Sequence, residues 1–188
     1  MSETLVTPEG LVVFEAVFQP FKRKGSPPEQ KAKYTMALAF PPGTNLDALK
    51  AMVKETAEGE WGAAKVKAKK PRSPFITNYE HDAFEGEGWV VIRPTSTRAP
   101  GVVDAKVQPI LDPEEFFSGC WARASVHAFA WDDPQGGAGV SFGLNNVQKT
   151  KEGDRLGGGG SRKPEDDFEP VGETAGGKKA SSSDDLFA

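Results

Sequence analysis

The chain is poor in the residues that most metal and nucleophilic chemistry requires. It holds one cysteine and two histidines in 188 residues. A lone Cys120 closes no internal disulfide and builds no thiolate cluster, so a reducing, intracellular setting is expected. His81 and His127 have no partner pattern for nucleophilic catalysis. There is no Gly-x-Ser-x-Gly elbow and no phosphate-binding Gly-rich loop followed by Lys. Neither an enzyme nor a cofactor is expected. No apolar run approaches the ~20 residues that span a bilayer, and the N-terminus lacks the basic-then-apolar pattern of a secretory leader. The expectation is a cytoplasmic protein without membrane contact. Hydrophobic residues make up 37%, low for a wholly folded chain, so one part is expected to be disordered.

Charge locates that part. Residues 1–163 carry 21 Lys and Arg against 20 Asp and Glu, whereas residues 164–188 carry 2 against 7. The net charge of −4 therefore lives at the C-terminal end, and the body must use a local basic face to attract an anion. Composition changes after Leu156, where Gly157–Gly160 opens a stretch of Gly, Ser, Pro, Lys and acid that buries too little apolar surface to offset its ordering entropy. The expected organisation is a folded domain over 1–156, a flexible linker over 157–183 and an acidic tip over 184–188. The tip, Asp184, Asp185, Leu186 and Phe187, holds two apolar residues with no core to join, which suits a partner-docking motif.

Before the linker the dominant period is two. Val12, Phe14, Ala16 and Phe18 alternate with Val13, Glu15 and Val17, and Tyr34, Met36, Leu38 and Phe40 alternate with Lys33, Thr35, Ala37 and Ala39. Trp89–Arg93 is a β-branched run, and Val140, Phe142 and Leu144 alternate again. Such patterns read as strands. One helix is predicted, capped by Thr44 with Asp47 as the reciprocal acid. Leu46, Leu49, Met52, Val53 and Ala57 fall on its apolar face, and Gly59 weakens it. Five or so antiparallel strands with one helix make a mainly β fold, a small sandwich or barrel.

The segment Gly119–Trp131 carries the most information. Cys120, Ala122, Ala124, Val126, Ala128 and Ala130 form a small apolar face, and Trp121, Arg123, Ser125, His127, Phe129 and Trp131 form the other. Base rings stack on aromatic faces for roughly 1–3 kcal/mol per base without needing a particular sequence. Periodicity alone equally allows the aromatics to be core, since large aromatics are usually buried. Arg123 and His127 on the same face favour the outward assignment, because they are costly to bury unpaired.

Two basic clusters flank the aromatic-rich strands. Lys65, Lys67, Lys69, Lys70 and Arg72 form one, and Lys22, Arg23 and Lys24 the other. Such runs are commonly solvated surface, but beside aromatic strands they suit a phosphate track, each contact giving a salt slope of about −0.7 on single strands. Arg93 and Arg98, with Trp89 and Tyr79, extend the candidate path. The run Glu80, His81, Asp82, Glu85 and Glu87 lacks a recognised metal-loop spacing and reads as a solvated acidic loop.

Three stretches resemble a family of tailed-bacteriophage single-stranded DNA-binding proteins. They are Arg72–Phe75 leading to Gly88–Ile92; Arg98–Asp104 followed by Pro109-Ile110; and Phe117–Trp121 running through Gly139–Ser141 to Leu144–Gln148. The resemblance implies a five-stranded oligonucleotide/oligosaccharide-binding (OB) fold with a disordered acidic C-terminal tail. It implies sequence-independent binding and protection of single-stranded DNA in phage replication, recombination or repair, inside an infected bacterial cell. It also implies that Asp184, Asp185, Leu186 and Phe187 recruit replication or recombination proteins. The sequence leaves oligomeric state open. Two alternatives remain: a mediator that anneals complementary strands, and a protein-interaction adaptor that binds no DNA.

Overall fold

Alternating apolar residues form long strands here, and the longest pair organises the rest. The computed structural model describes residues 3–156; the linker and tip expected over 157–188 lie outside them. In chain order the elements are β1 (Leu5–Val6), β2 (Gly10–Phe21), β3 (Lys33–Phe40), α1 (Asp47–Trp61), α2 (Ala63–Lys69), β4 (Val90–Ile92), β5 (Thr95–Ser96), β6 (Gly101–Val103), a 3-10 turn at Pro113–Glu115, β7 (Trp121–Asp133) and β8 (Gly137–Lys151).

The strands pair in a closed ring, β7–β2–β3–β5–β8 and back to β7. Every pairing in it is antiparallel except β5 with β8, which run parallel through the Thr95–Gly143 pair. Five strands closed in this way make the OB-type ring, with β4 continuing the β3 edge, β1 added beside β7 and β6 beside β8.

The ring interior is the main core. Val12, Val17, Met36, Leu38, Phe40 and Ile92 meet Cys120, Ala122, Ala124, Val126, Phe142 and Leu144 there. The small side chains of β7 let the opposite strands approach closely. A second apolar cluster lies outside the ring on β2, β3 and β4, where Leu11, Val13, Ala37, Ala39 and Val91 are buried under Ile76, Tyr79, Phe84 and Trp89. β3 is thus buried on both faces from Met36 to Phe40.

The helical region differs from the sequence expectation in two respects. Thr44 does not cap α1: its hydroxyl donates to the Pro41 carbonyl at 2.7 Å, inside the turn that follows β3. Leu46 holds the cap position, and Asn45 Oδ1 instead accepts from the Asp47 N–H at 2.9 Å. There are also two helices among the described residues. Gly59 is passed without a break, and the chain turns only at Gly62, whose φ of 79° few other residues adopt. α2 buries no residue, so it carries no apolar stripe from which to predict it. α1 seals the ring interior with Leu49, Met52 and Ala57.

Candidate nucleic-acid interface

The small face of β7 points inward, so its other face is outward by construction. Arg123 and Phe129 are exposed on it, and Trp121, Ser125, His127 and Trp131 are half-buried. The neighbouring strand is cut to fit those rings. His127 pairs with Gly143, Phe129 with Ser141 and Trp131 with Gly139. A Cβ at Gly143 would overlap the His127 imidazole, and one at Gly139 would overlap the Trp131 indole. The glycines therefore let two rings lie flat across β8.

Hydrogen bonds hold the rings in place. The Trp131 indole donates to Ser141 Oγ at 3.0 Å. His127 Nδ1 lies 3.0 Å from Asn145 Oδ1. Asn145 is the extra residue of a bulge, because Ser125 pairs with Asn146 and Val126 with Leu144. A bulge re-aims a side chain, here onto the histidine. Asn146 Oδ1 accepts from the Gly101 N–H at 3.1 Å, pinning β6.

Beside these rings a groove of about 350 Å³ crosses the seam where β5 meets β8. His127, Phe129 and Asn145 form one side of it, Thr95, Ser96 and Arg98 the other, and Lys33 one end. Phe129 is 37% exposed, one of five large hydrophobic residues so open among the described residues. It has no hydrogen-bonding group to hold it and lines the groove. The basic turn Lys22–Lys24 lies just beyond the Phe21–Lys33 pair, at this same end of β2 and β3. All three of its cations are exposed, and Lys22 Nζ donates to the Pro28 carbonyl at 3.2 Å.

Arg72 borders the same edge of β8. Its backbone pairs beside Gly139, donating to the Ala138 carbonyl at 2.8 Å. Gly139 lies four residues from Gly143, about 13 Å at the rise of a strand. Lys65, Lys67 and Lys69 of α2, and Lys70 just after it, are exposed. Lys69 is committed elsewhere: Nζ lies 2.6 Å from Asp132 Oδ1 and 5.6 Å over the Trp61 ring. The Trp61 indole donates to Asp132 Oδ2 at 2.8 Å. The Lys69 ammonium, and then the indole, hold the Asp132 carboxyl below the usual aspartate range. Asp132 so ties the junction of the helices to the end of the β7–β8 hairpin.

The remaining candidates lie apart from this groove. Trp121, eight residues along β7 from Phe129 or roughly 27 Å at strand rise, packs on the outer apolar cluster under Lys151, whose Nζ is 4.6 Å from the ring centroid. Arg123 is exposed, with Nε donating to Gln148 Oε1 at 2.7 Å. Tyr79 and Trp89 belong to the 71–89 segment over β2–β4, and the Arg93 guanidinium lies 5.2 Å over Tyr79. The structure thus brings Phe129 and Arg98 together, sets Lys22–Lys24 and Arg72 around them, and keeps Trp121, Tyr79, Trp89 and Arg93 elsewhere. Sequence selection missed Lys33, Thr95, Ser96, His127 and Asn145. His127 carried a signal, its parity with Phe129; two-residue β5 carried none.

The acidic segment Glu80–Glu87 is a turn in which His81 Nδ1 accepts from the Ala83 N–H at 3.1 Å. No group of three potential metal ligands forms among the described residues, and no helix among them is long and apolar enough to cross a membrane.

A family model described as Enterobacter phage Enc34, ssDNA-binding protein, matches residues 4–184. Protein p50 of Acyrthosiphon pisum secondary endosymbiont phage 1 is 23% identical over 159 residues, 79% of this chain and 84% of the relative. Among solved structures, the single-stranded DNA-binding protein from bacteriophage Enc34 in complex with ssDNA superposes with a TM-score of 0.64 at 18% identity, covering 82% of this chain and 89% of that one. The single-stranded DNA-binding protein gp2.5 of bacteriophage T7 gives 0.62 at 16% identity, covering 86% and 98%. At such identities the likeness is one of fold.

Proposed function

Because this chain belongs to the family of the Enterobacter phage Enc34 ssDNA-binding protein, we propose that it binds single-stranded DNA without sequence preference, along the groove that crosses the β5–β8 seam. Phe129 is the stacking surface, with His127 and Trp131 beside it. Arg98, Lys33, Arg72 and the Lys22–Lys24 turn neutralise phosphates, and Lys65, Lys67, Lys70 and Arg123 extend the positive field. The observation that carries the reading is Phe129: an exposed ring between cations, lying over a strand whose glycines make room for its neighbours. Stacking tolerates every base, and phosphate contact is blind to sequence, which suits coating of transient single strands.

The working context is phage DNA replication, recombination or repair. In this reading residues 1–156 are the DNA-binding unit and 157–183 the tether. Asp184, Asp185, Leu186 and Phe187 recruit partner proteins, and the net negative charge of residues 164–188 lowers the chain's attraction for DNA. The test is fluorescence anisotropy of a labelled oligothymidine at two salt concentrations. Saturation at between ~4 and ~16 nucleotides per chain, weakening steeply with salt, supports the proposal. No binding at low salt overturns it in favour of a protein-interaction adaptor.

A further inference from the structure

The outer apolar cluster holds a second concave site whose chemistry opposes DNA. Tyr79, Phe84 and Trp89, with His81, line a pocket of about 450 Å³ in the 71–89 segment, and Glu80 and Glu87 stand on its rim. The walls are set before any ligand arrives. Phe84 and Trp89 are stacked, with centroids 4.6 Å apart and planes 7° apart. The Trp89 indole donates to the Glu85 carbonyl at 3.2 Å. His81 lies 5.6 Å and Tyr79 6.1 Å from Phe84.

Charge decides what such a pocket can take. Glu80, Asp82, Glu85 and Glu87 are all exposed, and none forms an ion pair among the described residues. No Lys or Arg occurs between Arg72 and Arg93. A phosphate here would meet four carboxylates against the single Arg93 guanidinium over Tyr79, whereas a further cation would meet aromatic side chains and an excess of negative charge. The molecule already shows the fit once: Arg93 sets its guanidinium 5.2 Å over the Tyr79 ring. The Trp89 end of the pocket is far from the DNA groove, while its Tyr79 end approaches the groove through Arg93, two residues before Thr95. Trp89 precedes Val90, which pairs with Phe40 at the opposite end of β3 from Lys33, and that strand length is about 24 Å.

We propose that the Tyr79–Phe84–Trp89 pocket is a protein-docking site that takes a lysine or arginine side chain from a basic segment of a partner protein. The aromatic rings receive the cation and its aliphatic stem, and Glu80 and Glu87 hold the charge at the rim. The site stands independently of the DNA reading.

The experiment uses the full chain, labelled with nitrogen-15, titrated with an acetylated and amidated hexapeptide of alternating Arg and Gly. The indole N–H signals of Trp61, Trp121 and Trp131 serve as internal references for that of Trp89. The expected result is a saturable shift of the Trp89 signal alone. In the double variant Glu80→Gln, Glu87→Gln, the peptide should bind at least about fivefold more weakly, with oligothymidine affinity unchanged. Absence of a Trp89 shift, equal peptide affinity in the variant, or an altered oligothymidine affinity would each overturn the proposal. The oligothymidine titration of the unmodified chain reports separately on the DNA groove, so the two readings fail independently.

Discussion

Phe129 and Trp121 share a strand and a face, yet their surroundings assign them different work. Phe129 is exposed at the groove, whereas Trp121 lies against Leu11 and the outer cluster. Phe129→Ala should weaken oligothymidine binding roughly five- to a hundredfold, the range expected for one lost base stack, and leave the melting temperature nearly unchanged. Trp121→Ala should do the reverse. It should lower stability by less than the ~3–5 kcal/mol of a fully buried aromatic, with affinity retained in the folded fraction. Thermal melts and anisotropy on both variants separate the two effects. Gly143 is a sharper case, since any side chain there meets the His127 imidazole. Gly143→Ala should be destabilising in the native background and much less so with His127→Ala. A double-mutant cycle should return a coupling of about 0.5–3 kcal/mol.

Among elements, one carboxylate adds to the contacts that position the basic run, beside Val66 packed on the core and the Arg72 backbone paired with β8. Asp132 takes the Trp61 indole on one oxygen and the Lys69 ammonium on the other. Asp132→Asn keeps an acceptor for the indole and loses the ion pair. It should lower the melting temperature and speed proteolysis after Lys65, Lys67 and Lys70, which α2 presents without burying any side chain. The carboxyl is held below its ordinary range by Lys69 and Trp61, so its contribution is full above the ordinary aspartate value near ~3.9. It fades as pH falls through the lower folded-state value. The stability difference between native chain and Asp132→Asn should therefore be constant near neutrality and vanish in strong acid. A difference that grew on acidification would show that the ion pair is not its source.

On the scale of the whole molecule, charge is distributed against its net value. The chain carries −4 overall, while residues 1–163 are one charge positive. Alanine at Lys22, Arg23 and Lys24 together should flatten the dependence of log affinity on log salt by up to about 2, taking ~0.7 per phosphate contact. Removing residues 164–188, which carry two cations and seven acids, should tighten binding at low salt. The gain should shrink as the screening length falls toward ~10 Å at 0.1 M salt. Anisotropy titrations over a salt series measure both slopes. Unchanged affinity at low salt after the deletion would show that this charge has no bearing on DNA binding.

The sequence by itself determined the two-residue alternation of β3, β7 and β8, because the pleat fixes that period locally and needs no partner to express it. It left open which face of β7 is inward, and in β2 a bulge after Val12 sends Val12 and Phe14 to opposite faces. It located the two basic clusters and the change of composition after Leu156, which are matters of local chemistry. Only the tertiary structure decided which outward aromatics stay open. Trp121 and Phe129 have the same parity, and the covering of one and not the other follows from where β2 and the chain at the end of β8 cross beside Trp121. β5 exists through closure: two residues have no period of their own, yet the Thr95–Gly143 pair makes the seam beside which the groove forms. α2 lacked an apolar stripe and is placed by Asp132 together with its one half-buried apolar residue, Val66. Asn145 reaches His127 because a bulge shifts the register by one residue. Alternation is a short-range consequence of backbone geometry, whereas a binding groove is made where distant segments close on one another, and no local period records that closure.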